Sequence, residues 1–521
     1  MSQKNIDSLY HNLYNENHNL QDESFIADLN IYEVFKILNF TETTIGKQYL
    51  YHTICTPKTT IEDIEKIEET LSYLHHNKNL ESSFYKACQK IEDINTHFLP
   101  ELIFSKKLTP PKYFKWAWIL LSIEAALLFA GYFYLPVLFF LLPLLFINTF
   151  IHLINKNRLY LFKNTYRPVN KLLNASLEIK VSDEKKLFYA TKVEDSIKSL
   201  LPLRTKLTLL SVADYFSTSE LFMIPFVLME ILKVTTLFEV LLTKSLLGSI
   251  NENKSQIGIL YELIGKIDVG FSILKLRNNT EKWCRPTLTK ESKSASLINI
   301  YHPLIENYIP NSIELNNKSV IIAGSNMSGK TTFLRTVGIN NILAQTLNTC
   351  FAKEFKISLL KTITSLHNFD NIVEGESFYF AEAKNLLQVF DSNIQTGYLI
   401  IIDELFKGTN SIERTAICKG TLDYLHKTCG IVFASTHDLE LAKLLYTNYE
   451  PYHFNENING DEILFDYKIK KGNLYIFNAI NTLVKMGFPF LLMQEVKKTF
   501  FKLEETYKRS NYHEILNLSL E

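Results

Sequence analysis

The stretch that decides the fold is "VIIAGSNMSGKTT", Val320 to Thr332. Four apolar residues, Val320 to Ala323, predict a short buried strand, and the chain then runs through a loop bounded by Gly324 and Gly329. The spacing is GxxxxGK[ST], with Lys330 and Thr331 closing the pattern. Glycines at those two positions let backbone N–H groups turn inward around phosphate oxygens. A lysine there reaches the β- and γ-phosphates of a nucleotide, and the Thr331 hydroxyl is placed to ligate Mg²⁺. A helix that starts at the end of such a loop points its positive dipole end at the same phosphates.

Two later segments supply the chemistry that a phosphate loop lacks. In "GYLIIIDEL" (397–405), Leu399 to Ile402 predict a buried strand that delivers Asp403 and Glu404 to its carboxyl end. Asp403 is placed to hold Mg²⁺ through water, and Glu404 to polarise an attacking water. In "VFASTHDLELA" (432–442), a third apolar strand ends at His437, which at such a sheet edge can sense a γ-phosphate or orient water.

Outward from this point the chain changes character near residue 296. Short β-branched runs such as "SLINIYHPLI" (296–305) begin an alternation of strands and helices, the grammar of an α/β sheet domain. Before it the pattern is helical. "TTIEDIEKIEETLSYLHHN" (59–77) repeats apolar residues at helical spacing with carboxylates near its start.

The helical region is interrupted by "WAWILLSIEAALLFAGYFYLPVLFFLLPLLFINTFIHLI", Trp116 to Ile154, whose only charged residue is Glu124. One straight helix of that length would measure roughly 58 Å, nearly twice a hydrocarbon core. Divided between Gly131 and Pro136, it gives two passes of roughly 28 Å each. Lys106, Lys107, Lys112 and Lys115 precede it, and Lys156, Arg158, Lys163 and Arg167 follow it. The positive-inside rule then places both ends in the cytoplasm. A hairpin that dips in without crossing, or one buried in soluble protein, is the alternative. A second apolar region, Leu221 to Leu242, carries Glu230, Lys233 and Glu239 at amphipathic spacing and predicts a helix packed into a helical core.

The expected fold class is therefore multidomain. A mostly α-helical core or lever region carries an inserted transmembrane hairpin and is followed by an α/β P-loop NTPase domain. The expected boundaries are a polar tail (1–25), a first helical part (26–112), the hairpin (113–156), a second helical part (157–295), the α/β domain (296–495) and a helical tail (496–521).

Composition narrows the function classes. The 521 residues include 55 basic and 55 acidic side chains, which argues against a large basic surface for nucleic acid and leaves room for a local patch. The six cysteines, Cys55, Cys88, Cys284, Cys350, Cys418 and Cys429, form no CxxC pair and predict buried free thiols. The polar start "MSQKNIDSLYHNLYNENHNL" has no apolar core of a secretory signal.

The wording around the three elements resembles the MutS family of ATPases, within the ABC class. "GSNMSGKTTFLRTVG" is similar to the family's GPNMxGKSTxxR loop, with Ser325 in place of proline. "FDNIVEGESFYFAEA" resembles its D-x-(n)-G-x-STFxxE segment, with Asp370, Gly375, Ser377 and Glu382 in register. "IIIDELFKGTNSIERTAI" and "FASTHDLELA" resemble its DELGRGTS and FATHxxEL segments, and weaker likeness reaches back to about residue 26.

The resemblance implies ATP and Mg²⁺ as ligands and ATP hydrolysis as the activity. It implies that Gly324, Asn326, Gly329, Lys330, Thr331 and Thr332 hold the phosphates and that Tyr308 stacks on the adenine. It further implies that Thr331 and Asp403 hold the metal, with Glu404, His437 and Ser377 catalytic. It also implies a homodimer through composite sites, in which Ser377 and Asn410 of one chain face the other's γ-phosphate.

The expected mismatch-reading and connector domains have no counterpart before residue 26, and Asn459 stands where the family places a histidine near the base. The expectation is an ATPase switch at the inner face of the cytoplasmic membrane, attached through residues 116–154, with DNA binding left open. A transport-associated ABC ATPase and a nucleotide-gated non-catalytic scaffold are the alternatives.

Overall fold

The computed structural model describes residues 3–14, 23–91, 95–104, 114–179, 190–218, 223–290, 293–325, 327–366, 383–384, 386–387, 390, 397–406, 410–428, 430–459, 462–472 and 487–502. The chain forms two compact units. A helical unit comprises residues 1–26, 30–283 and 343–349, and a sheet unit comprises 27–29, 284–342 and 350–521.

The helical unit contains α1 (Thr44–Ile54), α2 (Phe114–Phe133), α3 (Leu141–Glu178), α4 (Ala190–Thr218), α5 (Met223–Thr236), α6 (Phe238–Glu252) and α7 (Lys254–Asn279), besides other helices. Local sequence sets several of their ends. The Thr43 hydroxyl accepts from the Gly46 N–H at the start of α1. The buried Asp268 carboxylate of α7 accepts from the Glu42 and Thr43 N–H groups at 2.9 and 2.8 Å. The charged repeat read from residue 59 forms the helix Ile61–His76, capped by the Thr60 side chain. The main core packs Phe84, Leu173, Leu203, Ile264 and Phe271 together.

The apolar run folds as a hairpin of α2, a 3₁₀ turn at Leu135–Phe140, and the first part of α3. Phe114–Phe133 and Leu135–Asn155 are each long and apolar enough to cross a bilayer, by length and composition. Pro136 lies in the first turn after the break, where its missing N–H costs nothing. Gly131 does not form the turn: it stays helical, and an added Cβ there would come 2.2 Å from a Leu138 methyl.

One expectation is overturned in part. The apolar segment Leu221 to Leu242 is expected to pack its apolar face into a helical core. The structure divides it into α5 and α6: Leu237 and Val240 do join a core cluster, but Val227, Leu228, Ile231 and Leu232 of α5 point outward while Lys233 is buried. Amphipathic spacing fixes that one face differs from the other, but not which of them faces in.

In the sheet unit the strands are β1 (Thr287–Thr289), β2 (Ser294–Ile300), β3 (Asn311–Asn316), β4 (Ser319–Ala323), β5 (Glu354–Ser358), β6 (Lys361–Ser365), β7 (Tyr398–Asp403), β8 (Ile431–Thr436), β9 (Tyr449–Asn459) and β10 (Glu462–Lys471). One sheet has the order β10-β9-β4-β8-β7-β6, and a smaller one has β1-β5-β2-β3. Strands β4, β6, β7, β8 and β9 run parallel, with β10 antiparallel at the edge. Every residue of β4 and β8 is buried, which explains their unbroken apolar runs. Helices α8 (Lys330–Thr346), whose last residues from 343 on belong to the helical unit, α9 (Ser411–Thr428) and α10 (Leu439–Leu444) follow strands β4, β7 and β8, and a further helix covers residues 490–502.

Candidate functional site

Strand register brings the three sequence elements together. Ala323 pairs with Thr436, and Asp403 pairs with Ser435, so β4, β8 and β7 end side by side. The chain leaving β4 forms the loop from Gly324 and enters α8 at Lys330. Gly329 holds φ at +106°, a conformation that a residue with a Cβ strongly disfavours. Ligands of parallel sheets bind at such carboxyl ends.

The side chains converge there. The buried Lys330 ammonium donates to the Gly324 and Ser325 carbonyls at 2.7 and 2.9 Å and lies 3.6 Å from Glu404 Oε1. The same Glu404 oxygen is 2.9 Å from His437 Nδ1. Thr331 Oγ1 donates to Asp403 Oδ2 at 2.6 Å, and Ser435 Oγ donates to Asp403 Oδ1. Glu404 adopts φ +54°, the left-handed region that costs a non-glycine residue about 1–3 kcal/mol and recurs at functional sites.

These groups open on a cavity of about 570 Å³, within the range of small-ligand sites. Ser325, Gly329, Lys330, Thr331, Thr332, Asp403 and Glu404 line it. Tyr301, His302, Tyr308, Phe454 and Tyr467 add aromatic and imidazole rings to the lining. Tyr308 stacks on Tyr301 with ring centroids 3.8 Å apart. Burial, with the Arg335 charge added, pushes His302 down to about 4, and its Nδ1 accepts the Leu304 N–H, as a neutral imidazole can.

The cavity has the dimensions and donors for a nucleotide with its metal. The buried Ser325 Oγ has no hydrogen-bond partner, so the loop retains an unspent polar group. No group of three or more His, Cys, Asp or Glu side chains among the described residues is arranged to hold a metal ion by itself. The Thr331–Asp403 oxygens therefore suit a cation that also takes oxygens from its ligand, as Mg²⁺ does.

Of the residues expected at the site, Gly324, Gly329, Lys330, Thr331, Thr332, Tyr308, Asp403, Glu404 and His437 lie at this sheet end or around its cavity. Asn326, Ser377 and the segment around it lie outside the described residues, as does the Asn459 side chain. Two participants escaped sequence reasoning. Ser435 fixes Asp403, and its position within "FASTHD" was the available signal. Tyr467 faces the cavity from β10, where Asn311 holds the strand by bonds to the Tyr467 carbonyl and the Ile469 N–H at 3.0 and 2.8 Å. No sequence spacing links Asn311 to Tyr467, so only the fold could reveal it.

Five of the cysteines, Cys55, Cys88, Cys284, Cys350 and Cys418, are free thiols, and Cys429 lies outside the described residues. Burial raises the Cys284 thiol to about 11, far from the thiolate range.

A sheet of this order, with a glycine-bounded loop between a buried strand and a helix, defines the class that comparison makes specific. Residues 320–504 match the family model of MutS domain V. The chain is 28% identical over 332 residues to the DNA mismatch repair protein MutS of Aquifex pyrophilus, covering 59% of this chain and 38% of that protein. It is 26% identical over 345 residues to MutS of Lactobacillus acidophilus, covering 63% and 40%. Yeast DNA mismatch repair protein MSH3 is 27% identical over 248 residues, covering 44% and 24%. MutS-family mismatch repair proteins are thus homologues of this chain, which shares their domain V. The chain spans about two fifths or less of the length of these relatives.

Proposed function

We propose that the protein is a Mg²⁺-dependent ATPase of MutS type that works as a membrane-anchored, dimeric conformational switch. The observation that carries the reading is the Glu404 carboxylate, 2.9 Å from His437 and 3.6 Å from Lys330 at the mouth of the cavity. Such a carboxylate can take a proton from water attacking a γ-phosphate, a task that binding alone does not need. His437 fixes its orientation, and Lys330 supplies positive charge where phosphate oxygens gather. The loop N–H groups and the start of α8 add to that field.

Thr331 and Asp403 would hold Mg²⁺, which when bound supplies positive charge shared between phosphate oxygens. Tyr308, already stacked on Tyr301, offers its outer side to the base. Ser377 and Asn410 would complete the site from a second copy, so that two nucleotides close the dimer and hydrolysis reopens it. Residues 116–154 would anchor the chain at the inner face of the cytoplasmic membrane, given their length and apolar surface. The names of the relatives, DNA mismatch repair proteins, bring DNA forward as a partner to test.

The test is ATP hydrolysis by the detergent-solubilised protein, alone and with homoduplex or mismatched DNA across a salt series. Mg²⁺-dependent turnover is expected, and its absence under all conditions overturns the ATPase reading. Stimulation by a mismatch would mean that DNA is an effector. Turnover indifferent to DNA would direct attention to the membrane side.

A further inference from the structure

Helix α2, the first part of α3 and helix α5 hide polar side chains and show apolar ones, and Glu239 of α6 joins the hidden polar groups. Asn148, His152 and Asn155 lie on one face of α3, and all three are buried. Asn148 donates to Glu124 of α2 at 2.6 Å. One turn further along α3, His152 Nε2 lies 3.1 Å from Glu230 of α5, and its Nδ1 lies 3.6 Å from Glu239 of α6. Lys233 of α5, also buried, stands 3.1 Å from Glu230 and 3.7 Å from Glu239. Two carboxylates thus close on one ammonium and one imidazole, forming a polar seam through the bundle.

The outside is the converse. On α5, Val227, Leu228, Ile231 and Leu232 fall on one exposed face, and Leu228 is 61% exposed. Helix α5 packs against α3, and the hairpin itself is apolar outside, with Phe129 of α2 and Phe146 of α3 72% and 79% exposed. Phe114 and Ala117 of α2 cluster with Ile151 of α3, Leu237, and Val240 of α6, at the base of the hairpin beside the exposed Trp116 and Trp118. Tryptophans at that level mark the headgroup boundary of a membrane-inserted hairpin. Helix α5 has 14 residues, about 21 Å at 1.5 Å each, too short to cross a hydrocarbon core alone.

We infer that α5 is a third membrane element: its Val227–Leu232 face enters the lipid leaflet at the base of the hairpin, and the His152–Glu230–Lys233–Glu239 seam fastens it there. This rests on the membrane reading of residues 116–154. The occupant of the face is lipid, because the polarity is reversed on both sides of the same helix. Charged groups inside and aliphatic groups outside are stable when the surroundings offer no hydrogen bonds. The helix that carries this face also packs on α3, the second arm of the apolar hairpin.

The experiment uses the unmodified full chain in phosphatidylethanolamine/phosphatidylglycerol vesicles that carry a lipid with a diazirine in its acyl chain. After illumination, adducts are mapped by mass spectrometry. The inference expects adducts on residues 227–232 as well as on residues 119–150. Adducts confined to the hairpin overturn it and leave the hairpin reading standing. Adducts on neither overturn both. Hairpin-only lipid adducts with copy-to-copy cross-links through 227–232 also overturn it, by assigning the face to a second copy. An Ile231→Glu variant adds a second readout. Its Val227–Leu232 labelling should fall while hairpin labelling persists, and unchanged labelling of both would overturn the lipid contact.

Discussion

Both units bury charge, and they do so in opposite ways. In the sheet unit, Lys330, Asp403 and Glu404 sit at the end of strands whose interiors are wholly apolar, and they open on a cavity. In the helical unit, His152, Lys233, Glu230 and Glu239 close on each other, and the apolar residues around them look outward. Desolvating an ion costs several kcal/mol, so each arrangement requires a return. A cluster open to a cavity can recover that cost when a charged ligand binds. A cluster closed on itself recovers it at once, by joining helices. On the proposed function the first serves hydrolysis, and on the inferred lipid contact of α5 the second serves assembly in a medium that cannot solvate charge.

The largest effect should come from the open cluster. Glu404→Gln keeps the shape of the side chain but removes the proton acceptor. Turnover should fall by about 10²–10⁴-fold while nucleotide binding persists. Phosphate release and nucleotide fluorescence report the two separately. Undiminished turnover would mean that Glu404 is as structural as the closed cluster, and the contrast would collapse.

The closed cluster should answer in stability. Lys233→Met removes the ammonium that stands between Glu230 and Glu239, and breaking a buried ion pair costs about 3–5 kcal/mol. Hydrogen exchange of the helical unit in detergent should show that loss. Adding Glu230→Gln should restore part of it, because the orphaned charge is then gone. A loss below about 1 kcal/mol, the worth of an exposed pair, would refute burial of the seam.

Titration separates the units next. Burial holds His302 of the sheet unit and His52 of the helical unit down at about 4. The unfolded chain takes up their protons from about pH 6.5, so each withdraws stability as pH falls from about 6.5 towards 4. At pH 5 that is about 2 kcal/mol apiece. Asp268 of the helical unit acts in the reverse sense, because burial raises its carboxyl to about 6. It costs stability as pH rises from about 3.8 to 6, so acidification relieves that cost. The sheet unit should therefore weaken more between pH 7 and 5, as hydrogen exchange resolved by unit would reveal. His302→Gln should flatten its profile, and equal weakening of the two units would contradict the assignment.

How much of this was legible depended on whether the pattern carried a direction. Continuous apolar runs gave β4, β7 and β8, because a strand buried on both faces leaves no choice of side. Fixed spacing marked Lys330, Thr331, Asp403, Glu404 and His437, because a phosphate loop and the ends of adjacent strands are local features. The long apolar run announced a hairpin, and only the position of its turn was displaced from Gly131. Helix α5 was misjudged because periodicity gives two faces without naming their surroundings. Ser435 carried a local signal, its place in "FASTHD", that went unread, whereas Tyr467 reaches the site through strand neighbours far away in sequence, and no local rule connects it to the site.

The smallest effect serves as the reference for an ordinary helix in water. Thr60 caps Ile61–His76, its hydroxyl accepting the Asp63 N–H at 3.2 Å and donating to the Asp63 carboxylate at 2.9 Å. Three acidic residues of this helix, Glu62, Asp63 and Glu65, lie near its N-terminal end, where they oppose the dipole favourably. Thr60→Ala should cost about 1 kcal/mol, the usual value of a lost cap. That cost should be the same in detergent and in lipid vesicles, because the helix faces water in both. The Lys233→Met cost should instead grow when vesicles replace detergent, since a bilayer gives the stranded carboxylates less access to water. Hydrogen exchange of both variants in the two media measures the difference. If both respond equally to the change of medium, the seam has no more contact with lipid than the Thr60 cap does.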